Sequence, residues 1–239
     1  MKRIFTTLFL AISMLAANAQ NDMIKLNLFG LAFTNISLQY EHSLNTHSSV
    51  ALGFSILPSR SFPTFGVKQD AAHADDYDIE SLKLSGWSIT PEYRYYFSNK
   101  GPKGFYAAGY FRYAKYSLDN FVVNYASVTN GPNDRTSIIS GDYKATLVGV
   151  MFGAQWTLGD NWVLDWWILG AGFGSQKASI SGTGDFSADN QADIKSNIAD
   201  IDMPGIELTT TVTSKSVTVD YKSTLPAFRG FGLCLGYRF

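Results

Sequence analysis

The chain has 239 residues, 46% of them hydrophobic and 15% aromatic, and a formal net charge of −1. This balance excludes the strongly basic surface of a nucleic-acid-binding protein, and a lone cysteine, Cys234, excludes an internal disulfide. The length suits one barrel-sized domain or at most two ordinary ones.

The N-terminus reads as a targeting segment. Lys2 and Arg3 precede an apolar run over residues 4–15, broken only by Thr6, Thr7 and Ser13. Ala17-Asn18-Ala19 is a small-x-small cleavage site. Residues 1–19 therefore read as a signal peptide, and residues 20–239 as the mature domain beginning at Gln20. A spanning helix would need about 20 apolar residues. No cysteine stands near the cleavage site, which excludes a lipoprotein anchor. Without Lys2 and Arg3 the mature chain carries 17 basic against 20 acidic residues, or −3.

Eight segments alternate with a period of two, the pattern of strands. The first, 22–33, sets Ile24, Leu26 and Leu28 against Lys25 and Asn27. The second, 35–44, sets Ile36, Leu38 and Tyr40 against Ser37, Gln39 and Glu41. The third, 49–57, sets Val50, Leu52, Phe54 and Ile56 against Ala51, Gly53 and Ser55. The fourth, 86–97, opposes Trp87, Ile89, Tyr93, Tyr95 and Phe97 to Ser88, Thr90, Glu92 and Arg94. Pro91 lies inside it and cannot donate to a ladder, so a bulge or local break is expected there.

The fifth segment, 105–116, places Phe105, Phe111 and Tyr113 opposite Tyr106, Tyr110 and Arg112. The sixth, 143–157, places Val148, Val150, Phe152 and Trp156 opposite Gly149, Met151, Gly153 and Gln155. The seventh, 162–173, places Leu164, Trp166 and Ile168 opposite Asp165 and Trp167. The last, 228–239, puts Phe231, Leu233, Leu235, Tyr237 and Phe239 on one face. Gly230, Gly232, Cys234, Gly236 and Arg238 fall on the other.

Connections after segments two, four and six are short; those after three, five and seven are long and polar. Short turns on one side and long loops on the other mark an outer-membrane barrel. A soluble sandwich or lipocalin-like barrel would instead turn the bulky faces inward and expose many Gly, Ala and Ser. Tyr95, Phe97, Phe105, Trp156, Trp162, Tyr237 and Phe239 cluster at the short-turn ends, as a membrane-interface girdle would. The expected fold is all-β: a closed, antiparallel, up-and-down transmembrane β-barrel of eight strands with long loops on one side. Within the last long stretch, 207–213 and 216–222 read as a Thr/Val-rich hairpin. Counted in the wall it would make ten strands; its Thr on both faces places it above the membrane. Ile194, Ile198 and Ile201 at helical spacing predict a short helix capped at Ser187 or Asp189.

In this pattern, and in the ending Gly236-Tyr237-Arg238-Phe239, the chain resembles the small outer-membrane β-barrel superfamily that includes the transmembrane domain of outer membrane protein A. The resemblance covers essentially the whole mature chain. It implies an outer-membrane location, contact with outer-membrane lipid and lipopolysaccharide, and a C-terminal signal at Tyr237 and Phe239 read by the barrel-assembly machinery. No peptidoglycan-binding domain follows, so a cell-wall tether is not implied.

The inward set holds Lys25, Glu41, Glu92, Arg94, Arg112, Asp165 and Arg238. An eight-stranded barrel is only wide enough for side chains to fill it, and unpaired buried charges are very costly. These seven are therefore expected to form a lumen charge network that plugs the barrel, with Arg238 beside Lys25 or Glu41. A narrow ion path is the alternative. His73 beside Asp75 and Asp76 raises a lipid-A-modifying enzyme or a metal site, against which a solvated loop histidine is the plainer reading. No catalytic, cofactor or metal residues are assigned. The long stretches 58–84, 117–142 and 174–224 carry fifteen acids against eight bases. The expected role is non-enzymatic: structural, or surface interaction of the acidic extracellular loops with an extracellular ligand or protein.

Overall fold

The structure is a computed structural model that describes residues 22–61, 77–78, 81–127, 131–199 and 204–239. The signal segment, Gln20, His73, Asp75, Asp76 and Ile201 lie outside the described residues. In chain order the elements are β1 (Asp22–Asn27), α1 (Leu28–Ala32), β2 (Ile36–Ser43), β3 (Ser48–Ser61) and β4 (Tyr77–Asp78). Then follow β5 (Lys83–Tyr96), β6 (Gly104–Ser127), β7 (Gly131–Leu158), β8 (Trp162–Thr183) and α2 (Ala188–Ala199). The chain ends with β9 (Ile206–Val212), β10 (Ser216–Ser223) and β11 (Ala227–Arg238). No helix among the described residues is long and apolar enough to cross a membrane.

Eight of these strands close a barrel, in the order β11-β1-β2-β3-β5-β6-β7-β8. The ring is completed by two antiparallel ladders on β11. Met23 pairs with Arg238 and Asn27 with Cys234 on one side. Trp162 pairs with Tyr237 and Gly172 with Ala227 on the other. The expected adjacency of first and last strands is present, and closure leaves the lower wall no free edge.

The usual arrangement of polarity is inverted. Phe97, Phe105, Val148 and Phe173 are each more than 60% exposed on the outer face, while Lys25, Glu41, Arg94 and Asp165 are at most 1% exposed inside. Tyr95, Trp156, Trp162, Tyr237 and Phe239 are exposed at the short-turn end, forming the anticipated aromatic collar. Such an outer surface suits lipid rather than water.

Three local readings are corrected. The segment 22–33 is not one strand. β1 stops at Asn27, whose side-chain oxygen accepts from the Gly30 amide at 2.9 Å and caps α1. The helix closes when the Phe33 and Asn35 amides return to the Gly30 carbonyl, with Thr34 at φ 61°. A Cβ at Gly30 would sit 2.8 Å from the Asn35 carbonyl, so this turn requires glycine. Alternation cannot register a one-turn helix whose residues remain apolar.

Second, the polar stretches 117–142 and 174–183 are largely strand. The β6–β7 ladder runs from Gly104–Gln155 to Ser127–Gly131, and β8 continues to Thr183. Their outer faces turn polar because the strands leave the apolar belt, not because they end. As expected, Pro91 makes a local break: the ladder to β6 is interrupted over Thr90–Pro91 without a register shift. Third, the β7–β8 register shifts between Phe152 and Gly153, with Ile168 the extra residue. Beyond Ile168 the faces of β8 swap, and Leu169 and Phe173 point out.

The hairpin β9–β10 pairs with the upper part of β8 and stays outside the eight-stranded wall. The helix α2 starts after Ser187, whose hydroxyl accepts from the Asn190 amide at 3.2 Å.

Glycines inside the wall make room for rings. A Cβ at Gly153 would lie 2.3 Å from the Tyr106 ring, which is fully buried against the lumen wall. Gly153→Val is expected to destabilise the refolded barrel by about 1–3 kcal/mol, read as a lower midpoint in urea-gradient gels in detergent. Gly109→Val, also in the wall but with nothing within 4 Å of an added Cβ, serves as the control.

Candidate functional site

The lumen contains one connected polar network, and Arg94 is its centre. All five guanidinium N–H groups have acceptors. Nη1 donates to Glu41 Oε2 at 3.0 Å and to Asp165 Oδ2 at 2.7 Å. Nη2 donates to Gln39 Oε1 at 2.8 Å and Glu92 Oε2 at 2.9 Å, and Nε donates to Glu92 Oε2 at 3.0 Å. The guanidinium also lies 4.6 Å over the Tyr106 ring.

Lys25 supplies the second hub. Its ammonium donates to Glu41, to the Gln155 side-chain carbonyl, and to Asp165 Oδ2 at 2.7 Å. The carboxylates are then completed by neutral donors. Ser49 and Tyr96 hydroxyls reach Glu41 Oε1, each at 2.6 Å. Tyr106 donates to Asp165 Oδ1 at 2.8 Å, and the Trp167 indole to Oδ2 at 3.3 Å. Arg229 Nη1 donates to Glu92 Oε1 at 2.6 Å.

Of the seven charges expected in the lumen, five meet here: Lys25, Glu41, Glu92, Arg94 and Asp165. Two do not. Arg112 stands higher, donating to Thr90 Oγ1 at 3.2 Å and Tyr116 Oη at 3.1 Å. Arg238 sits at the opposite end against Met23 Sδ at 3.8 Å, tied by its backbone to Asn161, and not beside Lys25 or Glu41. Tyr237 and Phe239 point outward at the closing strand.

The missing sixth member is Arg229. Strict alternation back from Phe239 puts it on the outer face. Phe231 breaks the alternation with φ 59°, opposite the Ile168 bulge. Below this kink Gly232 and Cys234 face in; above it Phe228 faces out and Arg229 faces in. Its guanidinium packs 4.5 Å over the Trp167 ring and 5.3 Å over Tyr110. A left-handed Phe in a strand leaves no sequence signal. Gln39, Tyr96, Tyr106 and Gln155, by contrast, fall on inward positions by parity alone.

With Arg229 in and Arg112 and Arg238 out, the network has three cations and three anions. Its members and their completing donors come from all eight wall strands: Lys25 (β1), Glu41 (β2), Ser49 (β3), Arg94 (β5), Tyr106 (β6), Gln155 (β7), Asp165 (β8) and Arg229 (β11). Only Gln39 Nε2 lacks a partner within it. Desolvating six charges costs several kcal/mol each, which full pairing offsets and partial pairing does not.

Above the network lies a mouth of about 360 Å³, walled by Arg112, Arg229, Tyr110, Tyr116, Trp167 and α1. None of its lining residues is a histidine, cysteine or carboxylate. His42 is elsewhere, 2.5 Å from Asp22 at the lower rim. Among the described residues no three His, Cys, Asp or Glu side chains are grouped to hold a metal ion.

A family model for proteins of unknown function, DUF3575, matches residues 4–199. The chain belongs to that family. The match spans the wall from β1 through β8 and ends in α2. No curated protein matches. Among solved structures, the beta domain of the Bordetella autotransporter Brka covers 87% of this chain and 100% of its own at 11% identity. The TM-score is 0.24, and at that level the likeness carries no argument.

Removing one hub cation should expose the cost of the remaining charges. Lys25→Met leaves Glu41 and Asp165 short of a buried counter-charge. It is expected to cost about 3–5 kcal/mol, measured as the urea midpoint in detergent. Arg229→Met should cost less, because Arg94 still holds Glu92 and Arg229 lies nearer the open mouth.

Proposed function

We propose that this protein is an integral outer-membrane β-barrel that is closed to ions and has no enzymatic role. It acts as a structural element that carries an extended β-sheet above the membrane for surface interaction. One observation carries the closed state: a charge-balanced network contributed by every wall strand, in which both hub cations use all their donors. An ion moving along this path would have to displace Lys25 or Arg94 from two carboxylates at once. The apolar outer belt and aromatic collar support the membrane location. The extensions of β6, β7 and β8, with β9 and β10, support the surface role. The acidic balance of these upper segments favours a basic partner or divalent cations. Tyr237 and Phe239, exposed on the closing strand, are the residues we assign to recognition by the assembly machinery.

Refolded protein in a planar bilayer is expected to show no conductance steps. A steady open level would overturn the closed reading and favour a narrow pore. In cells, the full-length chain should remain in the carbonate-washed outer-membrane fraction. Its unboiled form should migrate differently from the boiled form on gels; release of the chain by carbonate would sink the membrane assignment.

A further inference from the structure

The register of the upper wall aligns four lysines in one cross-strand row. Lys115 pairs with Lys144, Lys144 with Lys177, and Lys177 with Lys222, on β6, β7, β8 and β10. Lys144, Lys177 and Lys222 are exposed and Lys115 is half-buried. Like charges directly opposite on a sheet face lie about 5 Å apart and destabilise it. Glu207 on β9 stands directly opposite Lys222 at the end of the row, and Asp142 and Asp220 stand one row further out, yet none of the four lysines forms an ion pair among the described residues. Lys115, Lys144 and Lys177 thus stand in line with no acid in their own row on β6, β7 or β8, a local excess of positive charge that an anion can neutralise.

Their height suggests which one. The outward residues below Lys115 on β6 are Phe105, Ala107, Gly109, Phe111 and Tyr113. Below Lys144 on β7 the outward face runs from Trp156 through Phe152, Val150 and Val148 to Thr146. Below Lys177 on β8 it carries Trp162, Trp166, Leu169, Phe173 and Ser175. In each strand the lysine is the first outward charge above the apolar belt. Phe105 to Lys115, along a strand tilted by about 40°, rises roughly 25 Å, the height of the apolar band in outer-membrane barrels. The row thus stands at the headgroup level of the outer leaflet.

Two hollows flank it. A groove of about 460 Å³ contains Lys144, Lys177 and Lys222 with Asp142, Asp220 and the Ser179–Tyr221 surface. At the Lys115 end, a hollow of about 650 Å³ is walled by Phe54, Ile56 and Trp87. The row spans three strand spacings, roughly 14 Å, enough for two phosphates side by side. Adjacent ammonium groups can donate charge-assisted hydrogen bonds to the same phosphate.

We propose that Lys115, Lys144, Lys177 and Lys222 form a binding site for a phosphorylated lipid of the outer leaflet. The phosphates sit on the lysine row and the acyl chains run down the apolar faces of β6 to β8. This rests on the membrane-spanning reading above, which fractionation tests separately.

The test uses the full mature chain refolded in neutral detergent. Diphosphoryl lipid A, phosphatidylcholine and inorganic phosphate are the probes, read by native mass spectrometry and by thermal midpoint. The wild type should retain lipid A and gain thermal stability from it. It should do neither with phosphatidylcholine or with inorganic phosphate at equal phosphate concentration. Lys144→Gln with Lys177→Gln should weaken lipid A binding by about tenfold or more. In detergent alone the same variant should melt at or above the wild-type midpoint, because two opposed charges are gone. Should that variant lose the folded gel mobility, Lys115→Gln with Lys222→Gln decides, with a smaller loss expected. Unchanged lipid A binding in the folded variant overturns the site. Equal stabilisation by phosphatidylcholine or by inorganic phosphate overturns its assignment to a phosphorylated lipid.

Discussion

The structure depends on the coordination of the Arg94 guanidinium. It is fully buried in the lumen, and its five donors reach β2, β5 and β8 at once. The Lys25 ammonium ties β1 to β2 and β8 through Glu41 and Asp165, and to β7 through the Gln155 side-chain carbonyl. A barrel of eight strands is only wide enough for side chains to fill it, and most of those that fill this one are polar or charged. Its interior cohesion must come from polar groups that satisfy one another. Each carboxylate therefore collects cations on one or both oxygens and neutral hydroxyls or an indole on what remains. Such a network is a specification device more than a source of stability. Well-packed apolar groups could equal its energy, but any mispairing of strands would leave a charge unmatched.

The wall is less uniform than the network. β1 is six residues long, so the upper half of β11 pairs only with β8. The α1 turn packs against that half where a longer β1 would have run. A bare strand edge along the apolar belt would leave amide and carbonyl groups without partners. The helix, self-satisfied by its cap and its closing turn, covers the seam at little polar cost. The kink at Phe231 and the bulge at Ile168 lie at the same height. Together they turn Trp167 and Arg229 toward each other and hold the Glu92 end of the network.

Above the belt the barrel strands continue, and the chemistry of their outer faces changes abruptly from aromatic to charged. The lysine row marks that boundary on four adjacent strands. Its members are far apart in sequence, and ladder register alone makes them neighbours. Asp142 and Asp220 lie one row beyond it, while Glu207 on β9 closes the row opposite Lys222.

Much of this was legible in the residues. The period-two alternation, the inversion of bulky and small faces, and the spacing of short and long connections led to eight antiparallel strands. They also led to the aromatic collar and to inward positions for Lys25, Glu41, Glu92, Arg94 and Asp165. These are local properties of a strand, since alternate side chains must fall on opposite sides. Three things were not legible. The helix at 28–32 follows from a cap and a tight turn rather than from polarity. The inward Arg229 follows from a backbone dihedral at Phe231 that flips the strand's faces. The lysine row and the balance of three cations with three anions follow from register, which is set only when the ring closes. Sequence by itself determined which face each strand offers. The tertiary structure decided which residues stand side by side on that face, because lateral neighbours are chosen by the ladders and not by the chain.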